Sequence, residues 1–211
     1  GARPAYVLSD LSYFLANPDR ILRIDEGGLV YFGGFLGAWL ALFIFARVHR
    51  APFYDLADLV VTSLPLAHAF GRVGCFMNGC CHGTPAGGHV AISYPARSLA
   101  WHQHLMASQI PPDALQSLGV HPVQLYESTF NICLFGIVLL AWFRRRRPGM
   151  VGITYLLIYP VGRFLIEFLR GDHRVRWVGL SVAQWVSIAL FTAGCTLWWL
   201  VRRTPKPVET A

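Results

Sequence analysis

The chain is short of charge. Asp, Glu, Lys and Arg make up only 14% of its 211 residues, and Lys206 is the sole lysine. Hydrophobic residues reach 55%, and the mean hydropathy is +0.45. An ordinary water-soluble domain carries roughly twice that charge, so this composition excludes one and reads as an integral membrane protein. Acid is scarcer still: 11 Asp and Glu against 18 Lys and Arg give a net charge of +7. A basic chain can mean nucleic acid, but here the charge is nearly all arginine, set in short clusters beside apolar segments. That pattern marks membrane topology and attraction to anionic lipid, and no nucleic-acid partner is expected. Paired C-x2-C knuckles are missing too, although there are five cysteines. The first residue is Gly1 rather than Met, and the expectation is that further sequence, including membrane helices, precedes it.

A membrane-crossing helix needs roughly 20 mostly apolar residues. Five runs meet or approach this: Leu29–Arg47, Leu56–Met77, Thr129–Phe143, Val151–Leu169 and Val178–Val201. The third is short unless it starts near Leu125, and residues up to about Phe14 read as the tail of an earlier helix. The fold class is therefore all-α, a polytopic bundle of about five membrane helices. Residues 1–211 are read as one membrane domain. Arg47 and Arg50 follow the first run, Arg144 to Arg147 the third, and Arg202, Arg203 and Lys206 the fifth. Successive helices alternate in direction, so these clusters share one side, which the positive-inside rule makes cytoplasmic. The other ends are then Gly27–Gly34, Arg72–Gly83, His121–Glu127 and Tyr159–Asp172, where the unusual polar residues gather. The long Gly79–Val120 segment lies on the same side and reads as a partly ordered cap. A shared site near the outer leaflet is expected.

In YPVGRFLIEFLRGD, Tyr159, Arg163 and Glu167 are spaced four apart, on one helical face. Arginine inside an apolar span marks a functional site by default; a structural Arg163–Glu167 pair is the bland alternative. Arg72 ends another helix, and two converging guanidiniums suit a phosphate, because arginine stays charged and donates bidentate bonds. Arg170 is read as an interfacial anchor. HPVQLYE begins the third clear helix, with Pro122 suited to a first turn and His121, Gln124, Tyr126 and Glu127 supplying polar groups. Glycines around Tyr31-Phe32 either allow close helix packing or offer bare backbone to a ligand. Cys133 and Cys195, within apolar helices, are read as inert. In GRVGCFMNGCCHG the C-x4-C-C-H spacing is a poor zinc signature. A Cys75–Cys80 disulfide and a thiolate of lowered pKa beside Arg72 stay open beside it. Gly71, Gly74, Gly79 and Gly83 are expected to shape a close turn.

The ordered set GRVGCFMNGCCHG, HPVQLYES and YPVGRFLIEFLRGD, preceded by NPDRILRIDEGG and GGFLGAWLALFIFARVHR, resembles the prolipoprotein diacylglyceryl transferases over nearly the whole chain. The resemblance implies a multi-pass enzyme of the bacterial plasma (inner) membrane with its active face outward. It would move a diacylglyceryl group from phosphatidylglycerol to the lipobox cysteine thiol of a lipoprotein precursor and release glycerol phosphate. It also implies roles. Arg72 would hold the headgroup, with Gly74 and Asn78 of the same stretch and Gln124, Tyr126 and Glu127 of HPVQLYE in the binding set. Arg163 would be the second essential arginine, with Tyr159, Glu167 and His121 in the catalytic set. The scheme requires no metal or organic cofactor.

Three positions depart from the pattern. Phe32 stands where the family usually has the histidine of HGG, Cys75 where it has the asparagine of GRxGNF, and Cys80 where it usually has glutamate. A phenyl ring accepts no proton, so His68, His82, His121 or a Cys75 or Cys80 thiolate is left to replace the base. Cys75 and Cys80 accordingly join the catalytic candidates. Two alternatives remain: a related phospholipid-dependent transferase with another acceptor, and a redox- or metal-active membrane protein using Cys75, Cys80 and Cys81.

Overall fold

A computed structural model describes residues 1–25, 27–28, 30–172 and 176–203. Lys206 of the last basic cluster and the side chains of Tyr31 and Phe32 lie outside the described set. The chain divides into two compact units, Gly1–Ala57 and Asp58–Ala211.

In the first unit the stretch up to Phe14 is not one helix tail. It forms α1 (Ala2–Ser9) and α2 (Leu11–Ala16), separated at Asp10, whose ψ of 58° leaves the helical range. α3 spans Tyr31–Val48. α1 packs on α3 through glycines: a Cβ on Gly33 would run into the Ala5 Cβ, and one on Gly37 would lie 2.7 Å from the Gly1 Cα. This agrees with the close-packing reading of the GG motifs. Arg3 donates to the carbonyl oxygens of Ile21 (2.8 Å) and Gly27 (2.8 Å) and so organises the α2–α3 connection.

The second unit holds most of α4 (Phe53–Asn78) and all of α6 (Val123–Arg144), α7 (Met150–Ile166) and α8 (Val182–Arg203). Four helices among the described residues are long and apolar enough to cross a membrane, α7 with its 3-10 extension Glu167–Leu169 counting as one. The apolar stretch Gly33–Val48 of α3 is shorter. The architecture is thus an all-α membrane bundle. α6 starts six residues before the Thr129 expected from hydropathy, because Gln124, Glu127, Ser128 and Asn131 form a polar stripe on one helical face that the neighbouring helices bury. α8 starts four residues after Val178, because β1 (Arg176–Trp177) and β2 (Leu180–Ser181) pair as a short antiparallel hairpin before it.

Helix spacing is set by small residues. A Cβ on Gly162 would run into the Phe130 ring, so that ring lies flush on α7 beside Arg163. Gly194 of α8 meets Leu156 of α7 in the same way, at 3.0 Å. At the end bearing Arg144–Arg147, the buried Asp58 closes the bundle. Its carboxylate accepts from Arg145 Nη1 (3.1 Å) and from the backbone N–H of Gly149 (2.8 Å) and Gly152 (2.9 Å). Gly149 has φ +86°, the left-handed region that glycine enters freely.

The 79–120 segment is ordered. It contains α5 (Leu99–Met106), capped by the Ser98 side chain accepting from the Trp101 N–H at 3.2 Å. Tyr94, Ala100 and Val120 make a small core with Phe76 against it.

Candidate functional site

Four helix ends meet at the pole away from Asp58. α4 brings His68 and Arg72, α6 brings Gln124 and Glu127, α7 brings Tyr159 and Arg163, its 3-10 extension brings Glu167, and the segment before α8 brings Ser181. The hub is Glu127, 1% exposed. Arg72 Nε lies 3.0 Å from its Oε2, Arg163 Nε 3.6 Å from its Oε1, and Arg170 Nη1 3.7 Å from its Oε2. Arg163 Nη1 is also 2.6 Å from Glu167 Oε2, one helical turn on. Glu167 Oε1 accepts from the Ser181 hydroxyl at 2.7 Å. Arg170 bonds Asp172 twice at 2.9 Å, a bidentate pair that holds its guanidinium plane.

Three guanidiniums therefore face three carboxylates. Buried charge is tolerated only in such company, since a lone charge at this depth costs several kcal/mol. Each guanidinium has five N–H donors, and the carboxylates use only part of them.

Arg170 corrects the interfacial-anchor expectation. It is 4% exposed and belongs to the cluster. The 3-10 turn Glu167–Leu169 changes the helical phase after Glu167 and swings it inward. Ser181, Asp172 and Asn131 are further members of the site that sequence reasoning passed over. Asn131 was findable, because it continues the polar stripe at 124, 127, 128 and 131. Ser181 was not, because the hairpin that delivers it has no sequence spacing to the helices.

The other candidates distribute around this cluster. Tyr159 stacks on Tyr155 (ring centroids 5.0 Å apart) and on His68 (5.5 Å). Gln124 Nε2 donates to the Cys80 carbonyl (2.8 Å) and the Tyr94 hydroxyl (3.0 Å), joining α6 to the cap. His68 Nδ1, Gln124 Oε1 and Asn131 Oδ1 are buried with no hydrogen-bond partner among the described residues. His121 Nδ1 is 3.4 Å from the Tyr126 hydroxyl, so these two pair with each other beside the cap. His82 is fixed by Gln103 (2.7 Å) and its ring contacts His104. Asn78 is an exposed helix-end residue. Gly71 and Gly74 lie within α4, and a Cβ on either would meet open space, so neither shapes a turn. Gly79, with φ +68°, does.

Gly83 and Gly171 join cap and site edge to edge. A Cβ on Gly171 would run into the Gly83 oxygen, and one on Gly83 would lie 2.6 Å from Val123 Cγ2. Backbone bonds from Gly83 N to His121 O (3.0 Å), Thr84 N to Leu169 O (2.8 Å) and Gly171 N to His82 O (3.1 Å) stitch the three motifs together.

The thiols of Cys75, Cys80 and Cys81 lie within 4.8 Å of one another, each half-buried, and all are free. Burial and the neighbouring Cys81 push the Cys80 thiol up to about 11. Burial also works to raise Cys81, but the Arg170 guanidinium, which hydrogen-bonds it, and Arg72 outweigh that and lower its pKa. Arg170, held by Asp172 and Cys81, is raised above its ordinary value against the opposing effect of burial.

Residues 1–200 match the family described as prolipoprotein diacylglyceryl transferase. Among similar proteins is the phosphatidylglycerol–prolipoprotein diacylglyceryl transferase of Trichormus variabilis, 36% identical over 98% of this chain and 72% of its own length. The protein of the same name from Geobacillus kaustophilus is 37% identical over 96% of this chain and 71% of its own length. The one from Symbiobacterium thermophilum is 36% identical over 94% and 70%. Its motifs, its bundle of apolar helices and these likenesses together place the chain in the prolipoprotein diacylglyceryl transferase family.

Proposed function

We propose that the protein transfers the diacylglyceryl group of phosphatidylglycerol to the cysteine thiol of a lipoprotein precursor, forming a thioether and releasing glycerol phosphate. The observation that carries this reading is the buried convergence of Arg72, Arg163 and Arg170 on Glu127 at one pole of the bundle, in a chain of this family.

The chemistry follows from charge. The donor phosphodiester carries one negative charge. As the glycerol C–O bond breaks, the phosphate becomes a monoester and gains a second. Guanidiniums fixed beforehand by Glu127, Glu167 and Asp172 stabilise that gain more than they stabilise the starting diester, which is differential binding of the transition state. The half-buried Arg72, its side chain 18% exposed, is the member best placed to meet an arriving headgroup, while Arg163 and Arg170 lie deeper. Tyr159, stacked between His68 and Tyr155, holds the α7 face that presents Arg163. Gln124 ties the cap to the site and offers its free Oε1 to a donor on the substrate.

The enzyme is read as sitting in the plasma (inner) membrane with this pole facing outward. The support is the arginine clusters Arg144–Arg147 and Arg202–Arg203, which fall at the opposite helix ends.

The test is incubation of the protein, with any preceding sequence restored, in phosphatidylglycerol liposomes with a lipobox peptide. The peptide gains the mass of one diacylglyceryl group. No gain, with a standard family member active alongside, would overturn the reading.

A further inference from the structure

Sequence spacing makes Cys75, Cys80 and Cys81 look a poor metal set, and the backbone explains why spacing misleads. α4 ends with two nested bonds: the Gly79 N–H to Phe76 O at 3.1 Å, and the Cys80 N–H to Cys75 O at 3.1 Å, with Gly79 at φ +68°. This is a Schellman stop, in which the third residue from the helix end touches the second residue beyond it. Those two positions are usually apolar. Here they are Cys75 and Cys80, and the Cys80 Sγ comes to 3.6 Å from the Cys75 carbonyl oxygen. Cys81 follows at φ +62°, which a residue with a Cβ rarely adopts, and its sulfur completes a triangle with no edge over 4.8 Å. A bland reading, cysteines as small apolar plugs, accounts for Cys75 and Cys80. It does not account for a strained Cys81 whose sulfur stands against the Arg170 guanidinium.

Three sulfurs round a tetrahedral zinc, with Zn–S of about 2.3 Å, lie about 3.8 Å apart. No edge of the observed triangle exceeds that spacing by more than about 1 Å. Three protein ligands leave a fourth position open, which is the pattern of reactive zinc sites rather than structural ones. We propose that Cys75, Cys80 and Cys81 bind one zinc ion whose fourth position takes the acceptor cysteine as its thiolate. This rests on the transferase reading above and specifies how its thiol is activated.

The step balances without redox change. The acceptor thiol displaces a zinc-bound water, and its proton passes to solvent. The zinc-bound sulfur then attacks the glycerol carbon. A C–S bond forms, the C–O bond breaks, and its electron pair leaves on the phosphate oxygen toward the arginines. The thioether is a weak ligand, so water replaces it. A coordinated thiol is deprotonated by the metal itself, which suits a chain with Phe32 where the family usually has a proton-accepting histidine. Zinc with four thiolates carries two negative charges, and Arg170 stands at Cys81 to offset them.

The test uses the full protein, purified in detergent with reductant, and zinc or cobalt(II) alone as probe. Expected are about one zinc per chain and, after exchange, the thiolate charge-transfer and visible bands of tetrahedral cobalt. Cys75→Ser, Cys80→Ser and Cys81→Ser each lose metal at least tenfold, while Cys133→Ser and Cys195→Ser keep it. A lipobox peptide shifts the cobalt bands, and the same peptide with serine for cysteine does not. Removing metal from the unmutated protein lowers peptide lipidation at least about 100-fold, the range of a lost acid–base group, and zinc restores it. Failure of the reduced protein to bind either metal overturns the proposal. So does copper(I) found in place of zinc, or unmoved cobalt bands. Metal-free protein that lipidates at the full rate overturns it and leaves the transferase reading intact. Metal bound and responsive to peptide, with no lipidation, keeps the site and overturns that reading instead.

Discussion

Arg72 on α4 and Glu127 on α6 stand 3.0 Å apart, and Arg163 from α7 reaches the other oxygen of the same carboxylate. One buried side chain therefore joins three helices. Glu127→Gln leaves Arg72, Arg163 and Arg170 with one carboxylate fewer in a buried space. Breaking a buried pair costs about 3–5 kcal/mol, so the variant should show a clearly lower Tm in detergent and at least tenfold slower lipidation. Stability equal to the unmutated protein would show that Glu127 is not the hub.

Arg72→Lys and Arg163→Lys each keep a positive charge but lose the planar fork that binds phosphate oxygens in pairs. Both should reduce turnover to background in the liposome assay. Near-normal turnover in either would remove the phosphate-clamp argument. Arg170→Lys should behave like them, because the bidentate hold of Asp172 needs the same fork.

Gly83→Ala and Gly171→Ala test the seam between cap and bundle. Each added methyl would fall under 3 Å from backbone or side chain of the facing segment. The cap should then be cut faster by added protease, with lipidation falling in parallel. Gly74→Ala, where a Cβ meets open space, should leave cap protection unchanged.

Asp58→Asn acts at the far pole. Its carboxylate holds Arg145 and the backbone N–H groups of Gly149 and Gly152 at the start of α7, so the substitution should destabilise the fold by the cost of a broken buried pair, about 3–5 kcal/mol, read as a lower Tm. KM for the peptide should stay within about twofold, a change under 0.5 kcal/mol. A large KM change would mean that the two poles are coupled.

Much of this arrangement is legible in the sequence, and the misses have two causes: polar residues buried between helices, and backbone that departs from the helix where a helix stops. Apolar length locates the spans, and the i, i+4 spacing of Tyr159, Arg163 and Glu167 puts them on one face. Hydropathy begins α6 late because Gln124, Glu127 and Ser128 look like loop residues, although other helices, not lipid, surround them. Arg170 is misread because helical spacing is continued through a segment that tightens to a 3-10 turn. The cysteine triangle is invisible because its proximity depends on two residues with positive φ, Gly79 and Cys81. Periodicity carries the regular parts of a helix; what happens where a helix stops is written in single backbone angles.

The stop at the end of α4 has a consequence for how this family can diversify. A Schellman turn is built from backbone bonds and one glycine, so the two side chains it brings together are free to change without refolding anything. In this chain both are thiols, with a third at the next residue, at the end of the helix that carries Arg72. New chemistry can thus arise by exchanging the contents of a helix terminus.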